Sequence, residues 1–269
     1  MVILKLGGSL LTLPDLAARI TAVLAQRSDC RCALVVGGGA AADLVREWDR
    51  TQQLGDEAAH QLALCAMRFT AEFVAALLPD ARLVGDRASL ASAWDCGQLP
   101  LLAADAWLSR AEQYSSLSPA SSVDQSAGSI GGEGWGEGNE QSVDAVPSSG
   151  LRPPSPRDLV DMRTDARCGE KGANEGGLEC ALQGFTVPHT WDATSDSISA
   201  WFSEELNATE LVLLKSVSRP LGNAANAARD GLVDRCFPDA AVRLARVSWV
   251  NVRSEDCGIE PWIKPQPDA

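Results

Sequence analysis

The segment Met1-Val-Ile-Leu-Lys-Leu-Gly-Gly-Ser-Leu10 constrains this chain more than any other. It sets a lysine inside an apolar strand and follows that strand with two glycines and a serine. A buried strand gains nothing from a lysine unless the charge emerges at the strand's end and meets an anion. Adjacent glycines let backbone N–H groups approach that anion with no β-carbon in the way. A second unit of the same kind, Ala33-Leu-Val-Val-Gly-Gly-Gly39, runs directly into helix-like sequence. Two glycine loops that each lead into a helix can face one polyphosphate from two sides. The pattern points to phosphoryl transfer.

Around these units the first hundred residues alternate strand and helix. Val2–Leu6 and Ala33–Val36 read as short apolar strands. Leu16, Ile20, Val23 and Leu24 fall at helical spacing, which predicts a helix over Leu16–Gln26 begun by Pro14 and Asp15. Ala40–Trp48 opens the next helix. Leu62, Cys65, Phe69, Phe73 and Leu77 share one side of a long helix over Glu57–Leu78. Arg82–Val84 and Leu99–Ala103 are expected strands around a short helix near Ser89–Asp95. This rhythm predicts an α/β fold with a mostly parallel sheet covered by helices.

From Tyr114 to Cys180 the texture changes to Ser, Gly, Pro, Glu and Asp, with Gly-Gly-Glu-Gly-Trp-Gly-Glu-Gly at 131–138. Almost no hydrophobic periodicity survives, so the segment lacks the apolar surface that offsets chain entropy. It is expected to be a disordered insertion at 114–180, with partner contacts as an open role. Residues 1–113 and 181–269 then form a single folded domain. Order returns at Phe185. Ala193-Thr-Ser-Asp-Ser197 precedes an amphipathic run with Ile198, Trp201, Phe202 and Leu206 on one side, and its Ser and Asp suit a helix N-terminus. Leu211–Leu214 is an apolar strand ending in Lys215-Ser216. A helix around Asp239–Arg246 and a last strand over Val247–Val252 follow, and the tail from Cys257 reads as irregular.

A formal charge of −13 excludes a nucleic-acid or anionic-membrane surface, which needs concentrated Lys and Arg. A small anionic substrate stays compatible, because a local pocket charge can oppose the global sign. No run approaches membrane-spanning length. The N-terminal apolar stretch lacks a basic region or cleavage site, so a cytoplasmic setting is expected. The eight cysteines include no C-x-x-C pair and only two histidines are present, so no metal-ligand set is expected. Cys30 and Cys32 read as loop residues, with a redox or metal fragment as the alternative.

Phosphoryl transfer asks little covalent help of a protein. It needs donor and acceptor held in line and the charge on the equatorial oxygens matched by cations and N–H donors. Lys5 is the candidate cation at the end of the first strand, and Gly7, Gly8, Gly37, Gly38 and Gly39 are candidate N–H donors. Lys215 ends another strand where a cation meets nucleotide phosphates. Asp196 has three roles open: capping a helix, orienting a lysine, or contacting Mg²⁺ through water.

Lys-Leu-Gly-Gly-Ser at 5–9, Val-Val-Gly-Gly-Gly at 35–39 and Thr-Ser-Asp-Ser at 194–197 resemble the amino acid kinase family. The resemblance covers nearly all of the chain outside the insertion. It implies a three-layer αβα sandwich, ATP and Mg²⁺ as cofactors, a small-molecule acceptor and a homo-oligomer. It makes Lys5 the transition-state lysine, Gly7, Gly8 and Ser9 donors to the nucleotide phosphates, and Gly37, Gly38 and Gly39 the acceptor-side loop. Asp196 becomes the aspartate that organises the catalytic lysines. A narrower likeness joins 188–199 and Ala59-His60-Gln-Leu-Ala63 to kinases of methanofuran biosynthesis, within one-carbon metabolism. It implies a phosphate-bearing furan acceptor and an acceptor pocket lined by His60, His189 and Trp191; alternatively His60 is a half-buried helix histidine and Trp191 belongs to the core.

The chain departs from the family pattern after the strand at 211–214. The usual Thr/Ser-Asp-Val-Asp-Gly is replaced by Lys215-Ser-Val-Ser-Arg-Pro220. A second catalytic lysine has no clear equivalent in a later helix, and Arg243 or Arg246 stand as substitutes. Three functional readings therefore remain: an ATP-dependent kinase of this acceptor class, an acetylglutamate- or uridylate-type kinase, and a non-catalytic nucleotide or anion binder on the same fold.

Overall fold

The computed structural model describes residues 1–117 and 185–263. The expected insertion lies outside the described residues except for its first few positions, which complete a helix. The elements run β1 (Val2–Leu6), α1 (Leu16–Ala25), β2 (Cys32–Val36), α2 (Gly39–Gln52), α3 (Asp56–Leu77), β3 (Ala81–Val84), α4 (Arg87–Asp95), β4 (Leu99–Leu102) and α5 (Ala104–Leu117). After residue 184 come α6 (Ser195–Glu205), β5 (Glu210–Lys215), α7 (Ala224–Arg229), α8 (Phe237–Ala241), β6 (Val247–Asn251) and β7 (Glu260–Ile263). They build a seven-stranded sheet in the order β3-β4-β2-β1-β5-β6-β7. Every pairing is parallel except β6 with β7.

The central strands are continuous apolar runs because helices cover both of their faces. Strand alternation divides their side chains between two cores. Val2, Leu4 and Leu6 of β1 pack with Val212 and Leu214 of β5 against Leu16, Ile20 and Val23 of α1. Ile3 packs with Leu211 and Leu213 against Ile198, Trp201 and Phe202 of α6. Lys5 shares the parity of Ile3, and Lys215 that of Leu211 and Leu213. Both lysines therefore leave their strands on the α6 side. Lys5 stands opposite Leu213 in the β1–β5 register, so Lys215 lies one pleat farther toward the C-terminal ends.

The opposite end of the sheet is closed by a separate polar cluster. Arg27 donates from Nε and Nη2 to the Glu210 carboxylate at 2.9 and 3.1 Å, and the Ser248 hydroxyl donates to it at 2.6 Å. Burial pushes the Glu210 carboxyl up, but the bonds from Arg27 and Ser248 outweigh it and hold the group below its usual range.

Three expectations are corrected here. The helix expected around Asp239–Arg246 is a short α8 that ends at Ala241. The tail after Cys257 is not wholly irregular, since Glu260–Ile263 forms an antiparallel edge strand with a register irregularity at Val247/Ser248. Pro261 hid that strand, because proline is tolerated in sheets only where no ladder donor is needed, as at an edge. The long α3 forms as expected, but a stripe of apolar residues that usually marks a core-facing side points outward here. Leu62, Phe69, Phe73 and Leu77 are exposed, Phe69 at 68%, while Leu64, Met67, Ala71 and Val74 are buried. Among the described residues no helix is long and apolar enough to cross a membrane.

Candidate active site

The C-terminal ends of β1, β2 and β5 meet the N-terminus of α6, and the chemistry-bearing residues converge there. Asp196 sits in the first turn of α6 and is 4% exposed. Lys5 Nζ lies 2.8 Å from its Oδ1, and Lys215 Nζ donates to its Oδ2 at 2.8 Å. One buried carboxylate thus holds two ammonium groups from neighbouring strands, one on each oxygen. Lys215 also donates to the Leu232 carbonyl at 2.7 Å and lies 5.7 Å from the centre of the Trp249 ring. Asp196 holds the Lys5 ammonium on one side, and an ammonium has three N–H groups with which to meet an incoming oxygen.

The electrostatics follow from burial. Loss of water pushes the Asp196 carboxyl up, but Lys215 and then Lys5 outweigh it and hold the group at about 2. Burial lowers Lys215 to about 8, and the like charge of Lys5 adds to that while Asp196 opposes it. The Lys5 and Lys215 ammonium groups face the Asp196 and Asp234 carboxylates, so the buried charges nearly balance, and what the site offers an anion is two fixed ammonium groups rather than a net positive charge.

Both glycine loops border this cluster, and they touch each other. A β-carbon on Gly8 would lie 2.2 Å from the Gly39 nitrogen, and one on Gly37 would lie 2.7 Å from Ser195 Oγ. Gly39 also has a φ of +52°, a conformation side chains rarely adopt. The individual donors divide in a way the sequence did not reveal. The Gly7 N–H donates to the Leu214 carbonyl at 3.0 Å, and the Gly37 N–H to that of Leu6 at 2.9 Å, so both serve the loops themselves. Gly8 and Ser9 begin a single 3₁₀ turn, and Gly38 and Gly39 begin α2. Helix starts are where N–H groups lack intrahelical acceptors. Ser9 Oγ is 3.5 Å from Ser216 Oγ, which joins the first loop to the one after β5.

Asp196 does not cap α6. That task falls to Asp234, which the sequence reading missed. Its carboxylate accepts the Thr194 N–H at 2.8 Å, the Thr194 hydroxyl at 2.9 Å and the Ser197 N–H at 2.9 Å, and it also accepts the Ser197 hydroxyl. Burial and the nearby Asp196 charge raise its carboxyl, against the bonds from Ser197 and Thr194. Asp234 further accepts the Phe237 N–H at 2.9 Å, so an acid three residues before Phe237-Pro238 was the local signal available. Neither arginine substitute reaches the site. Arg243 pairs with Glu204 at 2.9 Å, and Arg246 lies at the Glu210 end of the sheet.

The expected acceptor-pocket residues lie beside α3. His60 is 7% exposed and stacks on His189, with ring centres 4.1 Å apart and planes 8° apart. Glu57 and Glu112 flank His189 on its two ring nitrogens, at 2.6 and 3.1 Å. Trp191 is not core. Its indole N–H donates to Asp49 at 2.7 Å and Arg46 covers its ring at 4.6 Å, both from α2. His60 and Trp191 line one small cavity together with Thr190 and Ala193, whereas His189 is outside that lining. A cleft of about 900 Å³ is bordered by Trp191, Asp192, Thr194, Arg229, Asp234 and Arg235, and Arg235 pairs there with Asp192 at 3.2 Å. Cys32 is not a loop residue: it opens β2 opposite Val2, and burial raises its thiol to about 11.

No curated protein matches the sequence. Among solved structures, the aspartate kinase from Synechocystis aligns over 100% of this chain and 40% of its own, at 8% identity and a TM-score of 0.50. Uridylate kinase from Archaeoglobus fulgidus aligns over 98% of this chain and 91% of its own, at 11% identity and a TM-score of 0.46. UMP kinase from Bacillus anthracis aligns over 94% and 88%, at 11% identity and 0.49. At 8% identity the likeness to the aspartate kinase is one of fold alone. The sequence pattern of the amino acid kinase family matches residues 1–113, and the mostly parallel seven-stranded sheet with its covering helices is the amino acid kinase fold.

Proposed function

We propose that the protein is an ATP-dependent small-molecule kinase that transfers the γ-phosphoryl group to an acceptor oxygen. The observation that carries this reading is the pair of ammonium groups, Lys5 and Lys215, held at 2.8 Å by the two oxygens of Asp196 beside two abutting glycine loops. In-line transfer spreads charge over three equatorial oxygens, and a preset pair of cations matches that charge without reorganising. Asp196 orients the amines and touches no reacting atom. Lys215 takes the part of the second catalytic lysine, which replaces the arginine substitutes. Gly8, Ser9, Gly38 and Gly39 supply N–H donors from two sides.

The residues fit a magnesium nucleotide with the metal carried by the phosphates. Both Asp196 oxygens face lysines, and both Asp234 oxygens accept protein N–H and hydroxyl donors. No step here depends on a protein carboxylate binding Mg²⁺. When bound, the metal would neutralise charge on the phosphate oxygens.

The acceptor is read as a small phosphate-bearing molecule of the furan class. The likeness of 188–199 supports both the class and its phosphate. A homo-oligomer is supported by the exposed apolar stripe of α3. A panel of furan phosphates, acetylglutamate and UMP, each with MgATP and ADP release as readout, tests the reading. Turnover of one acceptor that is lost in Lys5→Ala supports it. ATP binding by calorimetry with no ADP from any acceptor makes the protein a nucleotide binder instead.

A further inference from the structure

Both histidines of the chain, His60 and His189, come from segments far apart in sequence and meet with two glutamates. We propose that His60, His189 and Glu112 form a divalent transition-metal site of the zinc class, distinct from the magnesium nucleotide. One nitrogen of each imidazole and one Glu112 oxygen all lie within 4.8 Å of one another. His60 Nε2 is buried and has no hydrogen-bond partner among the described residues. Buried polar atoms are almost always satisfied, so an orphaned imidazole nitrogen beside a second imidazole and a carboxylate calls for a ligand.

The surroundings of His189 have the form that metal-binding imidazoles take. Glu57 Oε2 lies 2.6 Å from Nδ1, and Glu112 Oε1 lies 3.1 Å from Nε2. A carboxylate on one ring nitrogen fixes the tautomer and turns the other nitrogen toward a metal. Glu57 is thus the positioning residue, and Glu112 supplies the oxygen ligand. On binding, the metal takes the place of the proton between His189 Nε2 and Glu112, and that proton leaves to solvent. Bonds of about 2.0–2.2 Å put the donors of a tetrahedral ion roughly 3.5 Å apart, so the three groups close inward, and the partly exposed His189 ring must also turn out of its near-parallel stack on His60 so that both nitrogen lone pairs meet at the ion. Two imidazoles and one carboxylate match zinc-class ions and leave a fourth position for water.

The site joins α3 and α5 to the strand of chain that enters α6. His189 stands seven residues before Asp196, with the Trp191 anchor on α2 between them. A bound ion would therefore fix the approach to the lysine-binding aspartate without contacting the phosphates.

Cobalt(II) titration of the full-length protein tests the proposal, because its visible absorption reports nitrogen and oxygen ligation directly. The wild type is expected to bind one equivalent, with weaker bands and loss of saturation in His189→Ala and Glu112→Gln. Glu57→Gln is expected to bind roughly 10–100-fold more weakly. The partly exposed positions of His189, Glu112 and Glu57 keep these variants informative even if His60→Ala fails to fold. No binding by the wild type overturns the proposal. So does binding that His189→Ala leaves unchanged, or that thiol alkylation abolishes, since the ion would then sit on cysteines.

Discussion

Gly8 and Gly39 pack backbone against backbone, so closely that a β-carbon on Gly8 would lie 2.2 Å from the Gly39 nitrogen and 2.3 Å from its α-carbon. The contact is between main-chain atoms, which no side-chain rotation relieves. Gly8→Ala must therefore push the two loops apart. The expected outcome is loss of ATP binding by calorimetry and a lower melting temperature. Gly97→Ala, where a β-carbon meets nothing but φ is +70°, is the control that carries conformational strain alone.

Removing Lys5 takes away one of the two preset cations and leaves Lys215 on Asp196. Lys5→Ala is expected to lower kcat by roughly 10²–10³-fold, the range for losing one preorganised donor. Melting temperature should change far less than activity. Asp196→Ala should behave differently, because two ammonium groups would face each other without their carboxylate. Breaking a buried pair costs about 3–5 kcal/mol, so thermal unfolding should drop clearly in that variant.

Activity should fall in alkaline solution. Burial holds Lys215 at about 8, so its ammonium is present below that pH and lost above it. The kcat/KM for ATP reports the free enzyme, and its basic limb should bend near pH 8. In Lys215→Arg the bend should move beyond the measurable range, whatever the residual rate. Stability runs the other way for this group. Its folded value lies below the ordinary 10.5, so its charged form is disfavoured by the fold and stability rises between about pH 8 and 10.5. For Asp196 the folded value of about 2 lies below 3.8. Its contribution is complete above 3.8 and is lost as pH falls toward 2.

Asp234 should matter to both folding and turnover. It holds the first turn of α6 by the N–H groups of Thr194 and Ser197, and that turn carries Asp196. Asp234→Ala is expected to cost about 1–3 kcal/mol by chemical denaturation, from unsatisfied buried donors. Turnover should fall with it, and Asp234→Asn should restore part of both.

Much of this architecture could be read in advance where one residue's role depends on its neighbours in sequence. The strands β1, β2 and β5 were legible because continuous apolar runs admit few other structures. The closeness of Lys5, Gly8 and Gly39 was legible because strand, cation and glycines follow one another directly. The sharing of Asp196 by Lys215 and Lys5 was not. It depends on register between strands more than two hundred residues apart, and spacing carries no register. The same limit hid Asp234 and the meeting of His60 with His189. The exposed side of α3 misled for another reason: periodicity identifies an amphipathic helix, but a long helix with apolar residues on two sides does not say which one is inward.

The short β7 strand has a consequence at the rim of the sheet. Glu260–Ile263 lies along β6, where Val247, Ser248 and Trp249 would otherwise present open amide and carbonyl groups beside apolar side chains. Pro261 in turn interrupts the outer row of donors, so the border presents a broken template to any strand from another molecule. Removing Glu260–Ile263 would uncover the open hydrogen-bonding edge of β6 beside Val247 and Trp249. Glu260–Ile263 thus guards β6 against pairing with a strand of another molecule.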